Sequence, residues 1–82
     1  MSILTDNAKA ARAWHHAGRI HVQTTDGREA SFPVSANRIL RGAAPEQLNR
    51  IEIWDGGRGL HWPDLDEDLT VQGILDGRYG VP

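Results

Sequence analysis

The chain has no cysteine, which excludes disulfides, thiolate catalysis and sulfur-ligated zinc. That absence fits a reducing compartment, so a cytoplasmic location is expected. Long apolar runs are also missing: no stretch approaches the ~20 residues that cross a bilayer as a helix. Met1 to Arg12 lacks the apolar centre of a signal peptide. Serine occurs only at Ser2, Ser31 and Ser35, none in a glycine-flanked elbow, so a serine nucleophile has little support. Lysine occurs once, at Lys9, and the formal charge is −2. Nucleic-acid binders concentrate Lys and Arg on one face. Here the arginines are spread from Arg12 to Arg78 while acids crowd at Asp64, Asp66, Glu67 and Asp68. Direct nucleic-acid binding is therefore disfavoured, although eight arginines can still form a local patch in three dimensions.

What is present suits one small globular domain. The 82 residues are 39% apolar and 24% charged. A chain of this size buries only about 60% of its unfolded surface, so a thin core is expected. Residues 1–10 read as a flexible leader, with a helical turn begun at Asp6, and residues 11–80 as the domain.

Two hairpins stand out. Arg19–Thr24 alternates polar and β-branched residues, as a half-buried strand does. It follows a short strand at Ala13–His16 and precedes Glu29–Val34. A three-residue loop, Thr25 to Gly27, pairs Val22 with Ala30 and Ile20 with Phe32, and places Gly27 where a left-handed residue is favoured. A two-residue loop would instead set polar residues against apolar ones. In the second hairpin a Gly56–Gly57 loop sets Ile53 against Leu60, Ile51 against Trp62, and Glu52 beside His61. Trp62 then faces inward, while Trp54 faces out over Gly59.

Helical material lies between and after the hairpins. Ser35 can cap a segment carrying Ile39 and Leu40, with Gly42 past its end. Pro45 suits the first position of a second helix. A third, Thr70 to Asp76, would bury Val71, Ile74 and Leu75, take Asp68 or Thr70 as cap and stop at Gly77. The expected fold is α+β: a mainly antiparallel sheet of four to five strands with short helices on one face.

Four histidines and the acidic run invite chemical readings. His21 and His61 could converge with Asp64 or Asp66 as a two-histidine, one-carboxylate metal set, while His15 and His16, adjacent on a strand, point apart. The competing reading is of solvated or hydrogen-bonded imidazoles. Asp64, Asp66 and Asp68 have the opening spacing of a calcium loop. Leu69 stands where its glycine belongs, and Leu75 where its bidentate glutamate belongs. The same acids would suit the positive end of the last helix. Gly56, Gly57 and Gly59 resemble part of a phosphate loop but precede a strand, so a turn fits better. Pro63 ends its strand because it cannot donate to a ladder.

Asp26–Gly27–Arg28, Phe32–Pro33, Asn37–Arg38–Ile39–Leu40, Ala44–Pro45–Glu46–Gln47 and Gly59–Leu60–His61–Trp62–Pro63–Asp64–Leu65–Asp66–Glu67–Asp68–Leu69 follow in order. This succession resembles the bacterial family catalogued as domain of unknown function 2442, over about Ala13 to Gly77. The resemblance implies a small α+β domain without established catalytic activity. It also implies a place in two-component modules of the toxin–antitoxin kind, with this chain as the antitoxin. Some relatives carry a helix-turn-helix domain; the residues after Gly77 here do not provide one.

The expected function is thus a non-enzymatic, antitoxin-like interaction module without a cofactor. Its partner would be a protein, such as a co-encoded small toxin-like chain, or a second copy. Trp54, His61, Asp64, Asp66, Glu67 and Asp68 are its expected contact surface; Trp62, Pro63, Gly56, Gly57 and Gly27 hold the structure. The alternatives are a metal-dependent or acid/base hydrolase using His21, His61 and the Asp64–Asp68 carboxylates, and a nucleic-acid-binding regulator.

Overall fold

A computed structural model describes residues 8–82. Strands β1 (Ala10–His16), β2 (Arg19–Thr24) and β3 (Glu29–Pro33) form one antiparallel sheet in that order. Helices α1 (Arg38–Arg41) and α2 (Pro45–Asn49) connect it to a second. That sheet contains β4 (Glu52–Trp54), β5 (Gly59–Trp62) and β6 (Glu67–Thr70), again antiparallel and in order, and helix α3 (Val71–Leu75) follows it. The α+β class is as expected, but the single sheet of four to five strands is corrected, among the described residues, to two sheets of three. Pro33, which has no N–H to donate, ends β3, and a turn of 3₁₀ helix at Val34–Ala36 carries the chain away.

The first hairpin has the expected register: Ile20 faces Phe32 and Val22 faces Ala30. Thr24 N–H donates to Arg28 O at 2.8 Å, closing the loop, and Gly27 takes φ +91°. β1 is longer than the Ala13–His16 strand expected. It begins at Ala10 and has an irregularity in its register between Ala10 and Arg12, and both Ala8 and Ala10 are buried. These two residues of the expected leader are therefore part of the folded core; the turn expected at Asp6 lies outside the described residues.

The second hairpin also keeps its register: Glu52 faces His61, Ile53 faces Leu60 and Trp54 faces Gly59. Asp55, Gly56 and Gly57 have φ +58°, +64° and +102°, three successive left-handed residues, with Gly56 and Gly57 at the two central positions of the hairpin turn. A Cβ on Gly57 would fall 2.9 Å from the Lys9 Cβ, so this turn packs directly on the start of β1.

β6 was not expected. Asp68 or Thr70 is expected from the sequence only as a helix cap, whereas Glu67–Thr70 pairs with β5, Leu69 facing Leu60 and Asp68 facing His61. The link is a tight loop in which Leu65 N–H donates to Trp62 O at 3.1 Å and Asp66 takes φ +51°. Pro63 therefore opens this turn as well as ending β5. Thr70 alone caps α3, its hydroxyl accepting from Gly73 N–H at 3.0 Å. Gly77 terminates α3 as expected: Gly77 N–H donates to Ile74 O and Arg78 N–H to Gly73 O, at 3.1 and 2.7 Å.

The cap of α1 is corrected from Ser35 to Asn37. Its Oδ1 accepts from Ile39 and Leu40 N–H at 2.8 and 2.9 Å. At α2, Pro45 holds the first position as expected, and Gln47 Oε1 accepts from Ala44 N–H at 2.9 Å. Ile20, Val22 and Phe32 from the first sheet share one core with Leu40, Leu60, Trp62, Val71 and Ile74. Burying each large apolar side chain contributes about 1.5–3 kcal/mol. Tyr79 closes one side, its ring stacked on Phe32 with centroids 4.6 Å apart.

Candidate functional site

Strand alternation builds the outer face of the second sheet. Glu52, His61 and Asp68 stand in one row across β4, β5 and β6, with Trp54, Gly59 and Thr70 in the next. Gly59 has no side chain, so the Trp54 indole can lie across the sheet onto His61. The rings are stacked, with centroids 3.8 Å apart and planes 19° from parallel. Trp54 Nε1 donates to Glu52 Oε1 at 2.9 Å, fixing the indole from the other side. His61 Nδ1–H donates to the Asp68 carboxylate. Consequently His61 is only 8% exposed, while Trp54, at 47%, presents its uncovered surface outward. Ile53, on the opposite side of the same edge strand, is 40% exposed, whereas its pairing with Leu60 predicts an inward position.

The other expected surface residues separate from this group. Asp64 pairs with Arg50 Nη1 at 2.8 Å. Asp66 is exposed in the β5–β6 loop. Glu67, neighbouring Asp68 on a strand, points to the opposite face, where its Oε2 accepts from Asn37 Nδ2 at 2.8 Å. The structure thus brings together Trp54, His61 and Asp68, leaves Asp64 and Asp66 on the adjoining loop, and gives Glu67 a structural bond.

Neither ion-binding arrangement forms. His61 is held in the second sheet by Trp54 and Asp68, whereas His21 is stacked on Trp14 in the first, with centroids 5.2 Å apart. His15 Nδ1–H donates to Asn49 Oδ1 at 3.0 Å on α2. Among the described residues no three His, Asp or Glu side chains gather closely enough to hold a metal ion. The spacing of Asp64, Asp66 and Asp68 reflects a hairpin loop entering a strand. Elsewhere, the Asp26 carboxyl is lowered from 3.8 to about 2, chiefly by the Thr24 hydroxyl and then by Arg28, but it lies at an exposed hairpin tip.

Two groups were not read from the sequence. Asn37 is completely buried, and its role depends on contacts distant in sequence. The outer face of the first sheet carries Arg12, Trp14, His16, Arg19 and His21 together; the alternation Arg12–Trp14–His16 was the available signal.

The succession from the Asp26 turn to the His61–Trp62–Pro63 corner agrees with the comparison to known sequences. The model of the family described as protein of unknown function, DUF2442, matches residues 10–80. The chain belongs to this family. A crystal structure of a protein of unknown function from Rhodospirillum rubrum is similar, with 36% identity and a TM-score of 0.81, over 90% of this chain and 92% of that one. The solution structure of an uncharacterised protein from Chromobacterium violaceum shares 29% identity with a TM-score of 0.79, over 98% of this chain and 75% of that one. No curated protein matches the chain. No helix among the described residues of this DUF2442 member is long and apolar enough to cross a membrane.

Proposed function

We propose that this DUF2442 protein is a non-enzymatic interaction module of the antitoxin type, which binds another protein through Trp54 and the carboxylates around it. The observation that supports this reading most is the Trp54–His61 stack. An exposed tryptophan held by a ring beneath it and by Glu52 has already lost much of its rotational freedom. It can enter a partner's apolar pocket with a smaller entropic cost than a mobile side chain. Glu52, bonded to the indole, and Asp68, bonded to the imidazole beneath it, set negative charge beside the exposed ring, and Ile53 exposes further apolar area on the other side of the same edge strand. The partner is therefore a basic protein with an apolar cleft, in keeping with a small co-encoded toxin-like chain in the cytoplasm.

The test is an affinity pull-down of the tagged chain from its native host, with co-purified chains identified by mass spectrometry and their binding remeasured with purified protein. A stoichiometric small basic partner that is lost on Trp54→Ala and weakened by Asp68→Asn supports the reading. A partner held equally well by both variants, or none in repeated preparations, overturns it.

A further inference from the structure

The outer face of the first sheet carries a different chemistry. The β1–β2–β3 register sets Arg12, Trp14 and His16 beside Gln23, His21 and Arg19, with Ser31 on the next strand. This is the face opposite Ile20, Val22 and Phe32, which are in the core. The Arg12 guanidinium carbon lies 4.4 Å from the Trp14 ring centre. The Trp14 and His21 rings are stacked only 7° from parallel, and His16 lies 6.5 Å from His21, centre to centre. Four planar groups thus form a strip over β1 and β2. Arg19 flanks it, its Nη2 donating to the Ser31 hydroxyl and carbonyl at 3.1 and 3.3 Å. Glu29, opposite Gln23, is the one carboxylate in this register among the described residues.

Charge is divided in the same sense. Of the nine Lys and Arg residues, six fall between Lys9 and Arg41, where Asp26 and Glu29 are the acids; eight of the eleven acids fall from Glu46 onward. The overall charge of −2 therefore conceals a basic first part and an acidic second one.

We propose that the Arg12–Trp14–His21–His16 face, with Arg19, binds single-stranded polynucleotide. Unpaired bases stack on aromatic rings and on guanidinium planes, and arginines beside such a strip neutralise the phosphates between them. A duplex is a poor match. Its groove is read by an inserted helix or ribbon, and this strip lies on the face of a three-stranded sheet. An acidic peptide could pair with Arg12 and Arg19 but supplies no succession of planar groups for the strip. This surface belongs to the other sheet from Trp54, so it stands independently of the protein-binding reading.

The full chain is titrated by fluorescence anisotropy against labelled oligo-rU, oligo-dT and a duplex of equal length, across a range of salt, with polyglutamate as competitor. Single strands are expected to bind, with log K falling against log salt at a slope of about −0.7 per phosphate neutralised. Arg12→Gln with Arg19→Gln should reduce both affinity and slope. Trp14→Leu should weaken binding roughly tenfold while leaving the slope unchanged. Trp54→Ala should bind as wild type. If Trp14→Leu fails to fold, the arginine pair carries the test. The proposal is overturned by no binding at low salt, by equal binding of duplex, by displacement with polyglutamate as effective as with unlabelled strand, or by unchanged affinity in the arginine variant.

Discussion

Asn37 and Glu67, thirty positions apart, meet through a 2.8 Å bond from Nδ2 to Oε2 in the interior of the fold. The same Asn37 amide donates to Tyr79 O at 2.8 Å, while its Oδ1 caps α1. One buried side chain thus joins the first helix, the last strand and the C-terminal segment. Arg38 N–H, which donates to Val81 O at 2.8 Å, extends the seam.

Replacing Asn37 should therefore be costly. Asn37→Ala removes a helix cap and leaves Glu67 without its buried donor, and a loss of about 2–4 kcal/mol is expected. Asn37→Ser retains a cap but not the bonds to Glu67 and Tyr79, so it should fall between wild type and alanine. Urea unfolding followed by circular dichroism measures both. A change within 0.5 kcal/mol for alanine (about the scatter for an ordinary surface site) would contradict the role given to this residue.

Ala17 offers a stabilising change. It sits with Gly18 in the β1–β2 turn at φ +53°, a region that disfavours an L residue bearing a Cβ. Asn tolerates this conformation better, and Asn–Gly is the preferred pair for such turns. Ala17→Asn is expected to raise stability by about 0.5–1 kcal/mol, read as a higher urea midpoint at constant slope.

Gly73 tests how a cap can reverse a propensity rule. In a helix interior, alanine is ordinarily better than glycine by about 1 kcal/mol. Here a Cβ at Gly73 would fall 2.6 Å from the Thr70 hydroxyl that caps the same helix. Gly73→Ala should displace that hydroxyl, and the lost cap, about 1 kcal/mol, offsets the gain. In a Thr70→Ala background the obstruction is gone, so the same substitution should stabilise. A double-mutant cycle measures the difference, and strict additivity would refute the arrangement.

Acid should loosen the first hairpin tip. The Asp26 carboxyl titrates at about 2 when folded, against an ordinary 3.8, because the Thr24 hydroxyl and then Arg28 favour its charged form. A depressed folded value means the contribution is present above the unfolded pKa and lost as pH falls through the folded one. It should therefore decline from near pH 4 to near pH 2. An NMR titration of the carboxyl carbon should show the low midpoint, and Thr24→Val should move it upward.

Both hairpin registers were legible because each sets apolar residues opposite one another across a turn that carries glycine. Ile20–Phe32 and Ile53–Leu60 are local pairings, fixed within about a dozen residues. The exposed Trp54 followed from the same alternation, since Trp62 had to point the other way. β6 was obscured because it runs straight into the helical spacing of Val71, Ile74 and Leu75 in α3. The two-residue alternation of Glu67 to Thr70 is too short to outweigh it.

The sequence by itself determined the family, the α+β class, the two hairpins and the outward tryptophan, all of which rest on near neighbours and repeating side-chain spacing. Only the tertiary structure decided that there are two sheets, that Asn37 and not Ser35 caps α1, that Glu67 turns inward while Asp68 holds His61, and that His21 and His61 stand apart. The physical reason is that hydrogen bonds such as Asn37–Glu67 join residues whose separation along the chain leaves no periodic trace. The strand that presents Asp68 to His61 likewise exists only because β5 is there to pair with it.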